Sequence, residues 1–352
     1  MRTFNYADLA KTHWANDILN LVAKIHEYKG RQELFIRQKL VELERLVEIA
    51  RIQSTEASNK IEGIVTTSTR MKQLVADKTV PRNRDESEII GYRDALNTIH
   101  ENYEYIPIKA SFILQLHRDL LKYSGLSYGG HFKNNQNYIM ETRQDGSSVV
   151  RFIPIGPSET PEAINEICNC YNQVIRKEYI DPLILIPVFI SDFLCIHPFN
   201  DGNGRMSRLL TLLLLHQNGY DVGKYISIEK AIEQTKDTYY EVLANIDVGW
   251  HEGQNDATPF IRYMLQIILR CYIEFEERVG LVATAGAKST AYDIVKQYVV
   301  QQIGLFSSAD VIINCPTAGR SSILAALKRL TEEGIIEKRG KGKSTVYLTR
   351  DN

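Results

Sequence analysis

His197-Pro198-Phe199-Asn200-Asp201-Gly202-Asn203-Gly204-Arg205-Met206-Ser207-Arg208 is the stretch whose reading decides this chain. It gathers an imidazole, a carboxylate, an amide between two glycines and two guanidiniums. A leucine-rich run, Leu209 to Leu215, follows at once. A loop therefore feeds a helix N-terminus, whose unpaired N–H groups and positive dipole end suit phosphate. Gly202 and Gly204 permit the backbone turns of a phosphate-cradling loop. Arg205 and Arg208 are three apart, so on a helix they share a face and are expected to clamp one anion together. Asp201 is a hard oxygen ligand of the kind Mg²⁺ takes beside phosphates. His197 can accept a proton near neutral pH. Phe199 reads as a core anchor for the loop. The set points to phosphoryl or nucleotidyl transfer. No Gly-Lys-Ser/Thr follows, so this is not a Walker loop. Ser207 stands where a dinucleotide fingerprint would need its third glycine.

The stretch resembles the Fic family signature, His-Pro-Phe-x-Asp/Glu-Gly-Asn-Gly-Arg-x-x-Arg, at every fixed position. That resemblance implies transfer of AMP from ATP to a Ser, Thr or Tyr hydroxyl of a protein. It implies His197 as general base and Asp201 as the Mg²⁺ ligand. Asn203 and the backbone at Gly202 and Gly204 would cradle the α- and β-phosphates. Arg205 and Arg208 would hold the outer phosphates, with Arg208 at the γ-phosphate.

Upstream, residues 33–62 read as one long helix, with Leu40, Leu43, Leu46, Val47 and Ile49 at helical spacing. It closes on Ser58-Asn59-Lys60-Ile61-Glu62-Gly63, where Gly63 suits a left-handed helix end. Glu62 is then a negative charge at the unfavourable end of the dipole, a broken local rule of the kind found at functional sites. The segment resembles the Fic inhibitory motif, Ser/Thr-x-x-x-Glu-Gly/Asn. The resemblance implies an ion pair between Glu62 and Arg208, with Ser58 bonded nearby, that blocks productive γ-phosphate binding. The same carboxylate could orient a water for removal of AMP.

Gly129-Gly130-His131-Phe132-Lys133-Asn134-Asn135-Gln136-Asn137-Tyr138-Ile139 leads into a hairpin over residues 137–153, with Asp145-Gly146 as its turn. It resembles the Fic flap, which holds a target segment as an added β-strand. On that reading His131, Phe132, Lys133, Asn137, Tyr138 and Ile139 dock the target. Lys133 stands where the family commonly has arginine, which removes a bidentate group. Tyr239 and Tyr240 lie in a segment that resembles the family's adenine pocket.

The rest of the 352-residue chain bounds these expectations. A net charge of −1 gives no global pull toward nucleic acid or membranes. Five cysteines without a Cys-x-x-Cys pair argue for reduced thiols and a cytoplasmic location, not a disulfide framework or zinc site. The N-terminus carries no apolar signal region, and the run Leu183 to Ile196 is too short to span a bilayer. Helices are expected over 14–29, 33–62, 84–102, 110–123, 160–179, 183–196, 203–218, 229–246 and 257–279. The expected fold is mainly α, a Fic-type helical core with a small β-hairpin flap.

A linker is expected over 281–290. Beyond it come helices at 291–302, 308–313 and 317–333, and a hairpin pairing 335–339 with 345–348. That order resembles a winged helix-turn-helix, as appended to some Fic proteins. Residues 281–352 carry ten Lys/Arg against six Asp/Glu, and Arg339, Lys341 and Lys343 sit at the wing tip, so DNA or protein contact is expected there. The domain division is 1–107 for the N-terminal helical region, 108–280 for the catalytic core and 286–352 for the winged helix. A homodimer is compatible with the pattern. The competing class is a DNA-binding regulator whose Fic core is weakly active or inactive, and within enzymes, removal of AMP or use of another phosphate-containing donor.

Overall fold

Apolar residues at helical spacing fold most of the chain into α-helices. The computed structural model describes residues 2–38, 40–142, 146–177, 179–285, 290–300, 305–315, 318–340 and 345–349. Helices α1 (Asn16–Gln38), α2 (Leu40–Ile61), α3 (Ser68–Val75), α4 (Arg84–Asn102) and α5 (Ala110–Leu120) come first. Strands β1 (Ile139–Thr142) and β2 (Ser148–Phe152) form an antiparallel hairpin. Then follow α6 (Thr160–Ile175), α7 (Pro182–Ile196), α8 (Asn203–Gln217), α9 (Val222–Tyr225), α10 (Ile228–Gln234), α11 (Lys236–Asp247) and α12 (Thr258–Ala285). The last elements are α13 (Ala291–Val300), β3 (Leu305–Ser307), α14 (Ser308–Asn314), α15 (Arg320–Glu332), β4 (Ile336–Arg339) and β5 (Val346–Thr349). No helix among the described residues is long and apolar enough to cross a membrane.

The chain separates into two compact units, Met1–Glu27 with Ala50–Cys271, and Tyr28–Ile49 with Tyr272–Asn352. These bounds differ from a division at 107, 280 and 286, because α1, α2 and α12 each contribute residues to both units.

In the first unit α7 is the central element. Every residue from Leu183 to Ile196 is buried, as expected of a helix that is apolar all round. Asp181 caps it by accepting the Leu183 N–H at 2.8 Å. Asp192, the carboxylate inside it, accepts from Tyr6 Oη at 3.0 Å and Trp250 Nε1 at 2.8 Å and lies 3.4 Å from Arg2. Those bonds tie the N-terminal segment to the helix that carries the site. α8 packs against α7 with its Leu209–Leu215 run buried. α4 and α5 approach backbone to backbone at Gly91, where an added Cβ would lie 1.9 Å from the Leu120 carbonyl oxygen.

The second unit builds a three-stranded antiparallel sheet in the order β3-β5-β4. Val295, Val299, Phe306, Val311, Ile323, Leu327, Leu330 and Tyr347 form its core. Ser307 and Asp310 make a reciprocal capping box at the start of α14. Gly334, at φ 74°, turns the chain from α15 into β4.

Several sequence expectations change. The segment read as ending at 29 continues to Gln38 through Gly30, since an interior glycine costs only about 1 kcal/mol. The helix read as 33–62 therefore begins inside α1, and Lys39 lies outside the described residues. The 229–246 segment divides at Thr235, whose hydroxyl turns back to the Ala231 carbonyl at 3.0 Å. The expected linker is helical as far as Ala285, while 286–289 lie outside the described residues. Helix α3 and strand β3 have no counterpart in the sequence reading. Asp145, Lys341 and Lys343 lie outside the described residues.

Candidate active site

The end of α7 delivers the imidazole. His197 caps the helix in the left-handed region, at φ 50°, a conformation that costs energy for a residue with a Cβ and marks functional turns. Its Nδ1 lies 3.3 Å from the Leu194 carbonyl. Donation there leaves Nε2 as an acceptor facing the cleft. Burial lowers its pKa to about 4, against the opposing effect of the Leu194 bond, so the ring is neutral at pH 7.

The loop after His197 is braced from several remote segments. Lys133 Nζ donates to the Ile196 carbonyl at 2.9 Å, and its own N–H donates to the Pro198 carbonyl at 2.8 Å. The ammonium is buried, and desolvation lowers its pKa to about 8. Lys133, placed in the target-docking set by its sequence position, here braces the loop from beneath. Asn137 Nδ2 donates to the Phe199 carbonyl at 2.8 Å. The Asn203 amide closes a ring on Phe199, accepting its N–H at 2.9 Å and donating to its carbonyl at 2.8 Å. The Asn203 side chain is therefore bonded to the loop, which leaves the backbone as the part of the expected phosphate cradle that can face an anion.

Phe199 is fully buried and stacks on His117, with ring centroids 3.7 Å apart. His117 Nδ1 accepts the Gly130 N–H at 3.0 Å, so its Nε2–H donates to the Asp201 carbonyl, also at 3.0 Å. Burial lowers its pKa to about 4, which keeps this tautomer neutral. His117 escaped the sequence reading because a lone histidine on an amphipathic helix carries no local signal.

The start of α8 is a cradle whose occupant belongs to the chain itself. Gly202 has φ 84°, the left-handed turn that favours glycine. An added Cβ at Gly204 would lie 2.3 Å from Glu62 Oε1 and 3.3 Å from an Arg208 nitrogen. A carboxylate thus rests over the first turn of the helix, where an anion is favoured. Glu62 sits just past the end of α2, before Gly63 at φ 82°. Its Oε1 accepts from Arg208 at 2.8 Å. Arg208 also donates through Nε to Ser58 Oγ at 2.8 Å and to the Ser58 carbonyl at 2.9 Å. Burial pushes the Glu62 carboxyl up, but the Arg208 charge and hydrogen bond outweigh it and hold the group below its usual range.

Arg205 does not share that anion. It is 1% exposed and donates to Glu88 Oε2 at 2.6 Å, with its other nitrogen 3.5 Å from Asp201 Oδ1. The two arginines, expected to clamp one anion, leave one helix face for different carboxylates in this structure. Glu88 is the missed residue here, and it lies on α4, far from the signature.

Beside the cradle opens a cleft of ≈ 660 Å³, mouth included. His197, Glu62, Gly204 and Arg208 are among its lining residues. Ile139 and Met140 of β1 and Tyr239, Tyr240, Leu243 and Ile246 of α11 also line it. Tyr239 is buried against Tyr263 and Phe260, while Tyr240 is part-exposed beneath Lys236. Arg151 of β2 and Asp247 of α11, paired at 2.8 Å, join flap to helix in the wall. Neither was anticipated. Of the other flap candidates, Tyr138 and His131 are exposed and Phe132 leans on Phe199 at 6.3 Å.

Among the described residues no cluster of three or more His, Cys, Asp or Glu could hold a metal by itself. Asp201 supplies a single carboxylate, 39% exposed. One carboxylate beside phosphates fits Mg²⁺, which keeps waters and takes its remaining ligands from substrate.

The profile of the Fic/DOC family matches residues 107–215. The protein adenylyltransferase fic-1 of Caenorhabditis elegans is 28% identical over 184 residues, 51% of this chain and 32% of that protein. The protein adenylyltransferase Fic of Nematostella vectensis is 27% identical over 234 residues, 63% of this chain and 48% of that one. The chain thus spans less than half the length of these two curated relatives. A Fic family protein from Desulfovibrio desulfuricans G20 shares the fold at a TM-score of 0.62 and 22% identity, over 97% of this chain and 98% of that chain. A Fic domain containing signaling protein from Bacteroides thetaiotaomicron aligns at a TM-score of 0.58 and 24% identity, over 74% and 96% of the respective chains.

Proposed function

We propose that this chain, which carries a Fic domain over residues 107–215, transfers AMP from ATP to a hydroxyl side chain of a protein. The observation that carries the reading is a neutral His197 in the cleft that Gly204 and Arg208 of α8 also line. The triphosphate lies along that N-terminus, with Arg208 at its outer end. The adenine packs between β1 and the Tyr239-Tyr240 face of α11. A target segment lies along the flap, and its Ser, Thr or Tyr hydroxyl loses its proton to His197 Nε2. The hydroxyl oxygen bonds to the α-phosphorus in line as the bond to the β-phosphate oxygen breaks, and pyrophosphate leaves. Mg²⁺ held by Asp201 would offset charge on the departing pyrophosphate.

The protein as encoded is autoinhibited on this reading. Glu62 occupies the helix N-terminus and engages Arg208, two groups the outer phosphates require. Its part-exposed carboxylate can also orient a water, which supports removal of AMP as a second role.

The C-terminal elements α13 to β5 serve as a winged helix-turn-helix that docks a partner. Lys328 lies 3.8 Å from Glu332 and Arg329 2.8 Å from Glu333, which lessens their appeal to phosphates and favours a protein target over DNA. All five thiols are free and four of them are buried, which supports a protein of a reducing compartment. A homodimer is compatible with this scheme.

The test is Glu62→Gly protein with Mg²⁺ and ATP labelled at the α or the γ position, beside a His197→Ala control. Label retained from the α position alone, and lost in the control, supports AMP transfer. Label from neither position in the presence of cell extract would defeat it.

A further inference from the structure

Asp201 is bracketed by two guanidiniums, and the geometry singles out one of them. Its Oδ1 accepts the Gly202 N–H at 2.6 Å and lies 3.5 Å from Arg205. Its Oδ2 lies 3.6 Å from an Arg84 nitrogen. Both arginines are held by the same buried carboxylate. Glu88, 4% exposed, accepts Arg84 Nε at 2.7 Å and Arg205 at 2.6 Å. The four groups close a charge-balanced ring of two carboxylates and two guanidiniums.

Arg84 is the first residue of α4. A cation there opposes the helix dipole, whereas Asp85 and Glu86 beside it follow the rule. The Glu88 bond offsets that cost and aims the guanidinium at Asp201. Arg205 is locked in the core, while Arg84 is 58% exposed. A cation arriving at Asp201 meets Oδ1 already doubly engaged by groups that cannot leave. Oδ2 is the oxygen open to it, and Arg84 is the group able to yield.

We propose that Arg84 is a resident cation that competes with the divalent metal for Asp201 Oδ2, and so sets how much metal the site requires. This inference rests on the reading of Asp201 as metal ligand. When the metal is bound, Arg84 swings clear on the Glu88 bond while Arg205 keeps the loop in place. The arrangement keeps Asp201 neutralised and oriented when no nucleotide is present.

The experiment is a titration of the full-length protein with Mn²⁺, followed by electron paramagnetic resonance, with a fixed excess of α,β-methylene ATP. Arg84→Gln should tighten apparent Mn²⁺ binding about two- to fivefold, the range of an exposed ion pair. Arg84→Lys, which keeps the charge, should stay within about twofold of wild type. Asp201→Asn should lose the site. Unchanged or weaker binding in Arg84→Gln, with Asp201→Asn impaired, overturns the role of Arg84 alone. Mn²⁺ binding that is indifferent to Asp201→Asn overturns the metal-ligand reading beneath it. Thermal melts of each variant show that it is folded, and Arg84→Lys separates loss of charge from loss of the side chain.

Discussion

Glu62 Oε1 and an Arg208 nitrogen are 2.8 Å apart, and the same oxygen lies over Gly204 at the first turn of α8. One carboxylate therefore satisfies both a guanidinium and a helix N-terminus, across 146 residues of chain.

Removing this carboxylate should free both groups together. A hydrogen bond to a charged partner contributes about 1.5–3 kcal/mol, so Glu62→Gly is expected to raise incorporation of α-labelled AMP by roughly tenfold or more. Glu62→Gln keeps the length but not the charge, and should activate less. Wild-type rates in both variants would show that the carboxylate is no brake.

Lys133→Met keeps the buried stem and removes the ammonium. The Ile196 carbonyl then loses its partner in a dry site, which costs about 1–3 kcal/mol. Thermal unfolding should fall accordingly, and AMP transfer in the Glu62→Gly background should fall with it, because Ile196 immediately precedes His197. A variant with unchanged melting and unchanged transfer would refute the strut.

Acid should destabilise the protein through histidines whose ring nitrogens are shielded from water. Burial, the largest cause in each case, lowers His100 to about 3 and His117 to about 4, below the unfolded value of about 6.5. The unfolded chain thus binds protons first, so this stability is present above pH ~6.5 and is lost as pH falls toward 4. At pH 5 the loss is about 2 kcal/mol for each ring. Neither ring nitrogen of His100 has a hydrogen-bond partner, so His100→Phe should flatten the melting temperature against pH between 7 and 5. An unaltered slope would contradict the assignment.

Gly91→Ala tests the α4–α5 contact. Its Cβ would lie 1.9 Å from a backbone carbonyl, which has no rotamer to give way. A loss of about 1–3 kcal/mol or more is expected by urea denaturation, and wild-type stability would mean that the helices stand farther apart.

The sequence by itself determined α7, α8 and the loop between them. Their information is local: a fully apolar helix, a glycine turn and a leucine run read in order, and hydrogen bonds within the helix follow from spacing alone. The neighbourhood of His197, Asp201 and Gly204 is legible for the same reason, since covalent adjacency brings them together in any fold that keeps the turn. The helix ends were less legible where a glycine was tolerated, as at Gly30, or where one hydroxyl split a helix, as at Thr235.

What only the tertiary structure decided is which distant group each site residue meets. Spacing of three put Arg205 and Arg208 on one face, yet their long stems reach Glu88 on α4 and Glu62 beyond α2. His117, Arg84 and Asp247 belong to segments that show no motif of their own, and the flap motif does not say that Lys133 meets the Ile196 carbonyl or Arg151 meets Asp247. A side chain's partner is set by how helices pack and how far a flexible stem reaches, and burial then decides whether that partner holds a charge, a neutral ring or a carbonyl. Those are distances between remote segments, and the order of residues along a chain does not contain them until it folds.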